Sequence, residues 1–314
     1  MTNTTESFDY IVVGAGSAGC ALVNRLSSNP SIKVLLLEAG SNGHFLSRVP
    51  VSFAWLIDNP AANWCYRSEP EAGTNDREIP IPRGKLLGGS SAINGLVHVR
   101  GQQLDYDTWA QFGNGGWSFA DVLPFFKKIE SFEKGDSAYR GRSGPLRVSE
   151  VIDHNPIYEQ LFKAGAALGI AQNGDYNGAD QEGLARTQAT ISNGRRMSAD
   201  FAYLRPIRWR RNLTVKTRAL VTRLLFDKKV CVGAEAIIDN TIVTFEARQE
   251  VILSGGAINS PQVLELSGVG QPEILEKNSI PIVQAIHGVG ENLRDQIAPR
   301  LAFRITKPGI SYND

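Results

Sequence analysis

Cysteine is scarce in this sequence. Cys20, Cys65 and Cys231 stand without C-x-x-C spacing, and an odd, unpatterned set argues against both a disulfide framework and a cysteine zinc site. His44, His154 and His287 have no carboxylate or second histidine at ligand spacing, so no metal is expected. No apolar run reaches the roughly 18 residues needed to span a bilayer. The opening MTNTTESFDY lacks the basic and apolar stretches of a secretory signal. A reducing cytoplasm is the expected location. A formal net charge of +1 offers no electrostatic argument for nucleic acid or a membrane surface. Fixed-period repeats and low-complexity segments are absent as well. What is there is ordinary for a globular chain, 42% hydrophobic and 21% charged. Its 314 residues suffice for one large domain and a second, less complete one.

Glycine is plentiful and placed with purpose. From Phe8 the sequence reads as a strand, FDYIVVGAG, a helix, SAGCALVNRLS, and a second strand, KVLLLE. Gly14, Gly16 and Gly19 form G-x-G-x-x-G at the first strand-to-helix turn. Gly14 permits the sharp turn, Gly16 leaves room for a pyrophosphate against the main chain, and Gly19 lets helix and strand pack closely. Free N–H groups at a helix start favour phosphate. Glu38 ends the second strand 19 residues after Gly19, where an acidic side chain accepts hydrogen bonds from a ribose. Strand, turn, helix, strand and terminal acid agree on dinucleotide binding.

From Gly40 to Pro82 prolines and glycines break every period, in a stretch too long for a plain loop unless it serves a ligand. A second glycine cluster, RGKLLGGSSAING, spans 83–95 and is followed by the short alternating apolar run LVHVRG. Concave nests of backbone donors arise in such Gly/Ser runs. Helices are predicted over Asp105–Phe112, over Phe119–Glu130 with Ser118 and Asp121 as cap, and over Asn155–Leu168. His98, on the alternating run, reads as a packed residue. The basic stretch Arg205 to Arg211 around Trp209 reads as a solvated turn, and no nucleic-acid partner is expected. After Pro206, NLTVKTRALVTRLLF, VCVGAEAII and TIVTFEA read as strands. EVILSGGAINSPQVLELSGVG reads as a buried strand and helix, a later parallel strand of the opening sheet.

Three blocks, taken in order, resemble the glucose–methanol–choline (GMC) family of FAD-dependent oxidoreductases, and among them the bacterial choline-dehydrogenase-like alcohol dehydrogenases. They are GAGSAG with Glu38-Ala39-Gly40, the cluster Gly84 to Asn94, and Gly256-Ala257-Ile258-Asn259-Ser260-Pro261 through Gly270. Asn63-Trp64, Gly194-Arg195-Arg196, Ala202-Tyr203-Leu204 and Gly288 to Leu293 add to the match.

The resemblance implies an α/β, Rossmann-like FAD-binding domain with an incomplete α+β substrate domain. Expected segments are 8–150 and 213–296 for FAD, 151–212 for the substrate domain, and 297–314 for its truncated continuation. It implies flavin contacts by Arg83, Leu86, Leu87, Gly88, Ser91, Asn94, Gly95, Leu96 and Val97. Val221 is matched to the adenine, and Ser17, Ala18, Ala39, Trp64 and Ala257 complete the cofactor set. Relatives with covalent FAD carry a histidine where this chain has Ile93, so the flavin is expected to be non-covalent. The implied reaction oxidises a primary alcohol, passing hydride to flavin N5 and electrons to a quinone or similar acceptor. The family's histidine motif would lie beyond Asp314, so no catalytic residue is assigned, and this chain alone is expected to be inactive. Alternatives are a non-catalytic flavin-binding module, a split enzyme with a separate C-terminal half, or the lyase or photoenzyme chemistry of a few relatives.

Overall fold

The computed structural model describes residues 6–295, 301, 302, 304 and 305. Its main elements, in chain order, are β1 (Glu6–Val13), α1 (Ser17–Leu26), β2 (Val34–Glu38), α2 (Gln103–Gln111), α3 (Phe119–Ile129) and α4 (Ile157–Ala167). They continue with β3 (Leu213–Thr217), β4 (Ala219–Asp227), β5 (Val230–Ile238), β6 (Thr241–Leu253) and α5 (Gly256–Leu266). The chain forms two compact units: one runs through Gly95 and resumes at Gly194–Arg294, the other is Leu96–Asn193. These divisions fall at other places than 150 and 212, because a compact unit follows contacts rather than sequence motifs. The segment expected at 297–314 lies outside the described residues except at four positions.

The first unit is built on a six-stranded sheet in the order β3-β2-β1-β6-β5-β4. β3, β2, β1 and β6 are parallel, with Leu213 opposite Val34, Tyr10 opposite Val34, and Ile11 opposite Val251. β4, β5 and β6 form an antiparallel meander. Every residue of β2 is buried, which explains its unbroken VLLL run: a strand covered on both faces cannot alternate. Phe8, Ile11, Leu35, Leu37, Phe245 and Val263 share one apolar core.

Two strand readings are corrected. NLTVKTRALVTRLLF is not one strand: Arg218 turns the backbone at φ 55° and donates its N–H to Gly40 O at 2.8 Å. β3 and β4 consequently occupy opposite edges of the sheet. TIVTFEA and EVIL are a single strand, β6, of 13 residues. It pairs antiparallel with β5 and parallel with β1, so EVIL is the parallel strand predicted for the opening sheet.

The second unit carries α2, α3 and α4 with short paired segments. Ser118 caps α3 as predicted, its hydroxyl accepting from Asp121 N–H and its own N–H donating to Asp121 Oδ2. LVHVRG is the reverse of an apolar strand. Val97 and Val99 are exposed, while His98 and Arg100 turn inward with Leu96. They can do so because Glu130, fully buried at the end of α3, meets them. Glu130 Oε2 lies 2.9 Å from His98 Nε2 and from Arg100 Nη2, the latter a charge contact without hydrogen-bond alignment. Arg140, equally buried, donates Nε to Oε1 at 2.9 Å and Nη2 to Oε2 at 3.0 Å. Its Nη1 donates to Asp175 and, at 2.9 Å, to Gln188 Oε1. Burial pushes the Glu130 carboxyl up, but the hydrogen bonds from His98 and Arg140 and the charges of Arg100 and Arg140 outweigh it and bring it to about 2. The alternation of LVHVRG was legible; that charge rather than apolar surface faces inward was not.

Candidate functional site

Gly14 ends β1 at φ 98°, and a Cβ there would lie 2.5 Å from Ser254 O. At Gly19 it would lie 1.9 Å from Gly14 O. Both glycines are therefore required by the protein's own packing. Gly16 is different. A Cβ at this position would meet only Ser254 O, at 3.9 Å, and its φ of −76° suits any residue. Nothing in the fold demands glycine here, whereas a group lying against the main chain would. As N-cap of α1, Gly16 supplies no side-chain acceptor to the first-turn N–H groups, which leaves them suited to a phosphate.

Glu38 closes this turn. It is 6% exposed; Oε2 accepts from Ala15 N–H at 2.8 Å and Oε1 from Gly40 N–H at 2.9 Å. Burial, countered by those two bonds, pushes the carboxyl up to about 6. The side chain thus ties the loop after β1 to the loop after β2. Each oxygen retains acceptor capacity, so a ribose hydroxyl and this role are compatible. Ala39 directly follows Glu38 and precedes Gly40.

The second glycine cluster packs on the first. Gly88 N–H donates to Ala15 O at 2.8 Å, and Leu87 N–H to Ser41 O at 3.0 Å. Gly88 and Gly89 have φ of 93° and 52°, and a Cβ on Gly89 would come within 2.7 Å of Gly16 Cα. Ser91 Oγ donates to Gly88 O at 2.5 Å and accepts from Ala199 N–H at 2.9 Å. Leu86 and Leu87 are buried, Leu86 completely. Ile93 is likewise buried, packed with Leu56, Ala62, Leu86 and Ala92.

Asn94 is held by Arg196, whose Nη1 donates to Asn94 Oδ1 at 2.8 Å and to Ser91 O at 3.3 Å. Burial brings this guanidinium down to about 10. The motif Gly194-Arg195-Arg196 marked the place, but its role in positioning Asn94 was not readable from it. Trp64 stacks on Tyr66 with centroids 5.7 Å apart, and Lys85 Nζ sits 4.4 Å from its ring centre. Trp64 N–H donates to Arg83 O, and the Arg83 N–H to Asn63 Oδ1 at 2.8 Å. Val221 is buried in the sheet core. Ala257, in the first turn of α5, is exposed.

Ser17, Ala18 and Gly95 also belong to the first unit, whereas Leu96 and Val97 belong to the second. The residues from Gly14 to Ser91 are brought together by the bonds above. Two interlocked glycine loops at the carboxyl ends of parallel strands are the arrangement of a dinucleotide site.

Residues 8–298 match the GMC oxidoreductase family model. The chain belongs to that family. Choline dehydrogenases are among its similar curated GMC relatives. The oxygen-dependent enzyme of Photobacterium profundum is 40% identical over 309 residues, 98% of this chain and 54% of that protein. The mitochondrial enzyme of Homo sapiens is 41% identical over 317 residues, 98% and 53% of the two chains. Among solved structures, pyridoxine 4-oxidase from Mesorbium loti aligns with a TM-score of 0.84 at 31% identity, covering 88% of this chain and 55% of that one. An FAD-dependent oxidoreductase from Chaetomium thermophilum aligns with a TM-score of 0.86 at 31% identity, covering 92% and 52%. The chain spans about half the length of the curated relatives it matches. The fold is the FAD-binding one of GMC enzymes, and FAD is its cofactor.

Proposed function

We propose that this chain carries the flavin site of a GMC oxidoreductase acting on the CH–OH group of a primary alcohol of the choline kind. The observation that carries this reading is the contact of the two glycine loops, with Gly16 at that contact free of any packing demand for glycine. The pyrophosphate would lie along Gly14, Gly16, Ser17, Ala18 and the helix start, with the ribose at Glu38 and Ala39 and the adenine at Val221. Gly88, Ser91, Asn94 and Gly95 would present main-chain donors toward the ring, with Arg83, Leu86, Leu87, Trp64 and Ala257 around it. When bound, FAD supplies a two-electron acceptor that takes hydride from the alcohol carbon, and a quinone-type acceptor would take the electrons onward. In domain terms, the unit containing both glycine loops is the flavin-binding one, and residues 96–193 belong to the substrate side.

The flavin is held without a covalent bond, because Ile93 has no nucleophile and is packed into the core. Acid precipitation of the flavin-loaded protein should release all yellow colour to the supernatant, and colour retained in the pellet would overturn this.

Flavin binding without turnover is the expectation for this chain by itself. His98 Nε2 is engaged with buried Glu130, and His44 Nδ1 accepts from Leu46 N–H at 3.3 Å. Dye-coupled turnover with choline and a panel of primary alcohols tests the reading. Flavin retention with negligible turnover is expected, and turnover restored by adding a GMC C-terminal half would identify the reaction. Flavin-dependent turnover by the chain alone would show that one of its own residues serves as base. Among the described residues no helix is long and apolar enough to cross a membrane.

A further inference from the structure

Beside the glycine loops, within the first unit, opens a cavity of about 320 Å³. It shares only Leu87 with the flavin set. Its walls include His44, Arg48, Ser198, Asp200, Phe201 and Arg205. Two guanidiniums cover the Phe201 ring: Arg48 Cζ lies 3.5 Å from the ring centre and Arg205 Cζ 3.9 Å. Stacking fixes the plane of each fork. Arg48 spends Nη1 on Arg196 O at 2.8 Å, and Arg205 spends Nε on Asp200 Oδ2 at 2.8 Å. Among the described residues neither fork makes a further hydrogen bond. Arg195 is a third cation close enough to act on Arg48; burial, then Arg195 and Arg205, hold the Arg48 guanidinium below its ordinary value, against the single opposing charge of Asp200. Of the groups lining the cavity, two guanidiniums, Arg48 and Arg205, stand with one carboxylate, Asp200. That carboxylate is itself incomplete: Asp200 is 2% exposed, lines the cavity, and its Oδ1 has no hydrogen-bond partner.

An unbalanced cationic cluster around a cavity is a site for an anion, and an unpaired buried carboxylate oxygen requires a donor. We propose that this cavity is a second small-ligand site, separate from the flavin, for a phosphate monoester that also carries a hydroxyl group. The phosphate oxygens would take the free N–H groups of Arg48 and Arg205, and the hydroxyl would donate to Asp200 Oδ1. Phosphate suits the pair better than carboxylate, since three terminal oxygens can serve two forks at once. The volume equals that of about ten liquid waters, which fits a short polyol phosphate. This inference does not depend on the alcohol chemistry proposed above.

The test is calorimetric titration of the FAD-loaded full chain with glycerol 3-phosphate, inorganic phosphate and glycerol at low salt. Saturable binding of glycerol 3-phosphate is expected, with inorganic phosphate weaker and glycerol silent. Arg48→Met and Arg205→Met should each weaken it about tenfold or more, the effect of losing a charge-assisted bond, while flavin absorbance is unchanged. No binding to the FAD-loaded protein, or binding that appears only after flavin removal and is displaced by FAD, would overturn the separate site. Equal affinity for inorganic phosphate would overturn the role of Asp200. Phenylglyoxal labelling of the wild-type chain, read by peptide mass, gives a second measurement should a variant fail to fold. Glycerol 3-phosphate should protect Arg48 and Arg205, and unprotected labelling at both would refute the proposal.

Discussion

Each unit of this protein buries a glutamate, and the two behave oppositely. Glu38 in the first unit meets only backbone N–H groups, from Ala15 and Gly40, and its carboxyl is pushed up to about 6. Glu130 in the second meets His98, Arg100 and Arg140 and is brought down to about 2. Burial acts on both in the same direction. What differs is the number of full charges around the carboxylate, and that decides the sign. The first unit therefore rests on apolar packing and glycine contacts, with a carboxylate as a local tie. The second has an ion network where a core would be, in which no member can be removed without stranding the others.

The largest expected effects separate the glycines of the first unit. Gly19→Val would drive a side chain into Gly14 O, and no folded protein should be recovered. Gly16→Val should fold with a near-native melting temperature and yet retain no flavin, read as absorbance of the purified protein. Equal flavin content in Gly16→Val and wild type would remove Gly16 from the phosphate cradle.

Next in size is the ion network. Glu130→Ala strands Arg100 and Arg140 and should cost about 3–5 kcal/mol of stability, measured by urea denaturation. A loss below about 1 kcal/mol, the value of a surface pair, would erase the contrast between the units.

pH sharpens the same contrast. The folded value of Glu130 lies below the ordinary 4.5, so its contribution, about 3 kcal/mol, is complete above pH 4.5 and lost as pH falls toward 2. The folded value of Glu38 lies above 4.5, so its contribution, about 2 kcal/mol, is complete below pH 4.5 and lost as pH rises through 6. Unfolding free energies measured from pH 3 to 7 should show Glu130→Gln flattening the acid limb and Glu38→Gln flattening the fall between 4.5 and 6. The same limb lost in both variants would contradict the assignment.

The smallest effect belongs to the surface. Trp209 is 78% exposed and makes one bond, from Nε1 to Pro206 O. Trp209→Ser should change stability by less than about 0.5 kcal/mol, which calorimetry can check.

Sequence by itself determined the strand–helix–strand opening, the parallel sheet, the capped helix α3 and the two glycine loops. These are local matters: a φ near 90° at Gly14 or Gly88, a hydroxyl at Ser118, or an unbroken apolar run in β2 needs no distant partner to be recognised. Tertiary structure decided the rest. Arg218 sends β3 and β4 to opposite edges of the sheet through a bond to Gly40, 178 positions away in the chain. Arg196 finds Asn94 across 102 positions. Glu130 turns LVHVRG inside out, because a buried carboxylate rewards inward-facing His98 and Arg100 more than apolar burial rewards Val97 and Val99. Charge pairing and close backbone approach depend on what folding brings near, and periodicity along the chain carries no record of it.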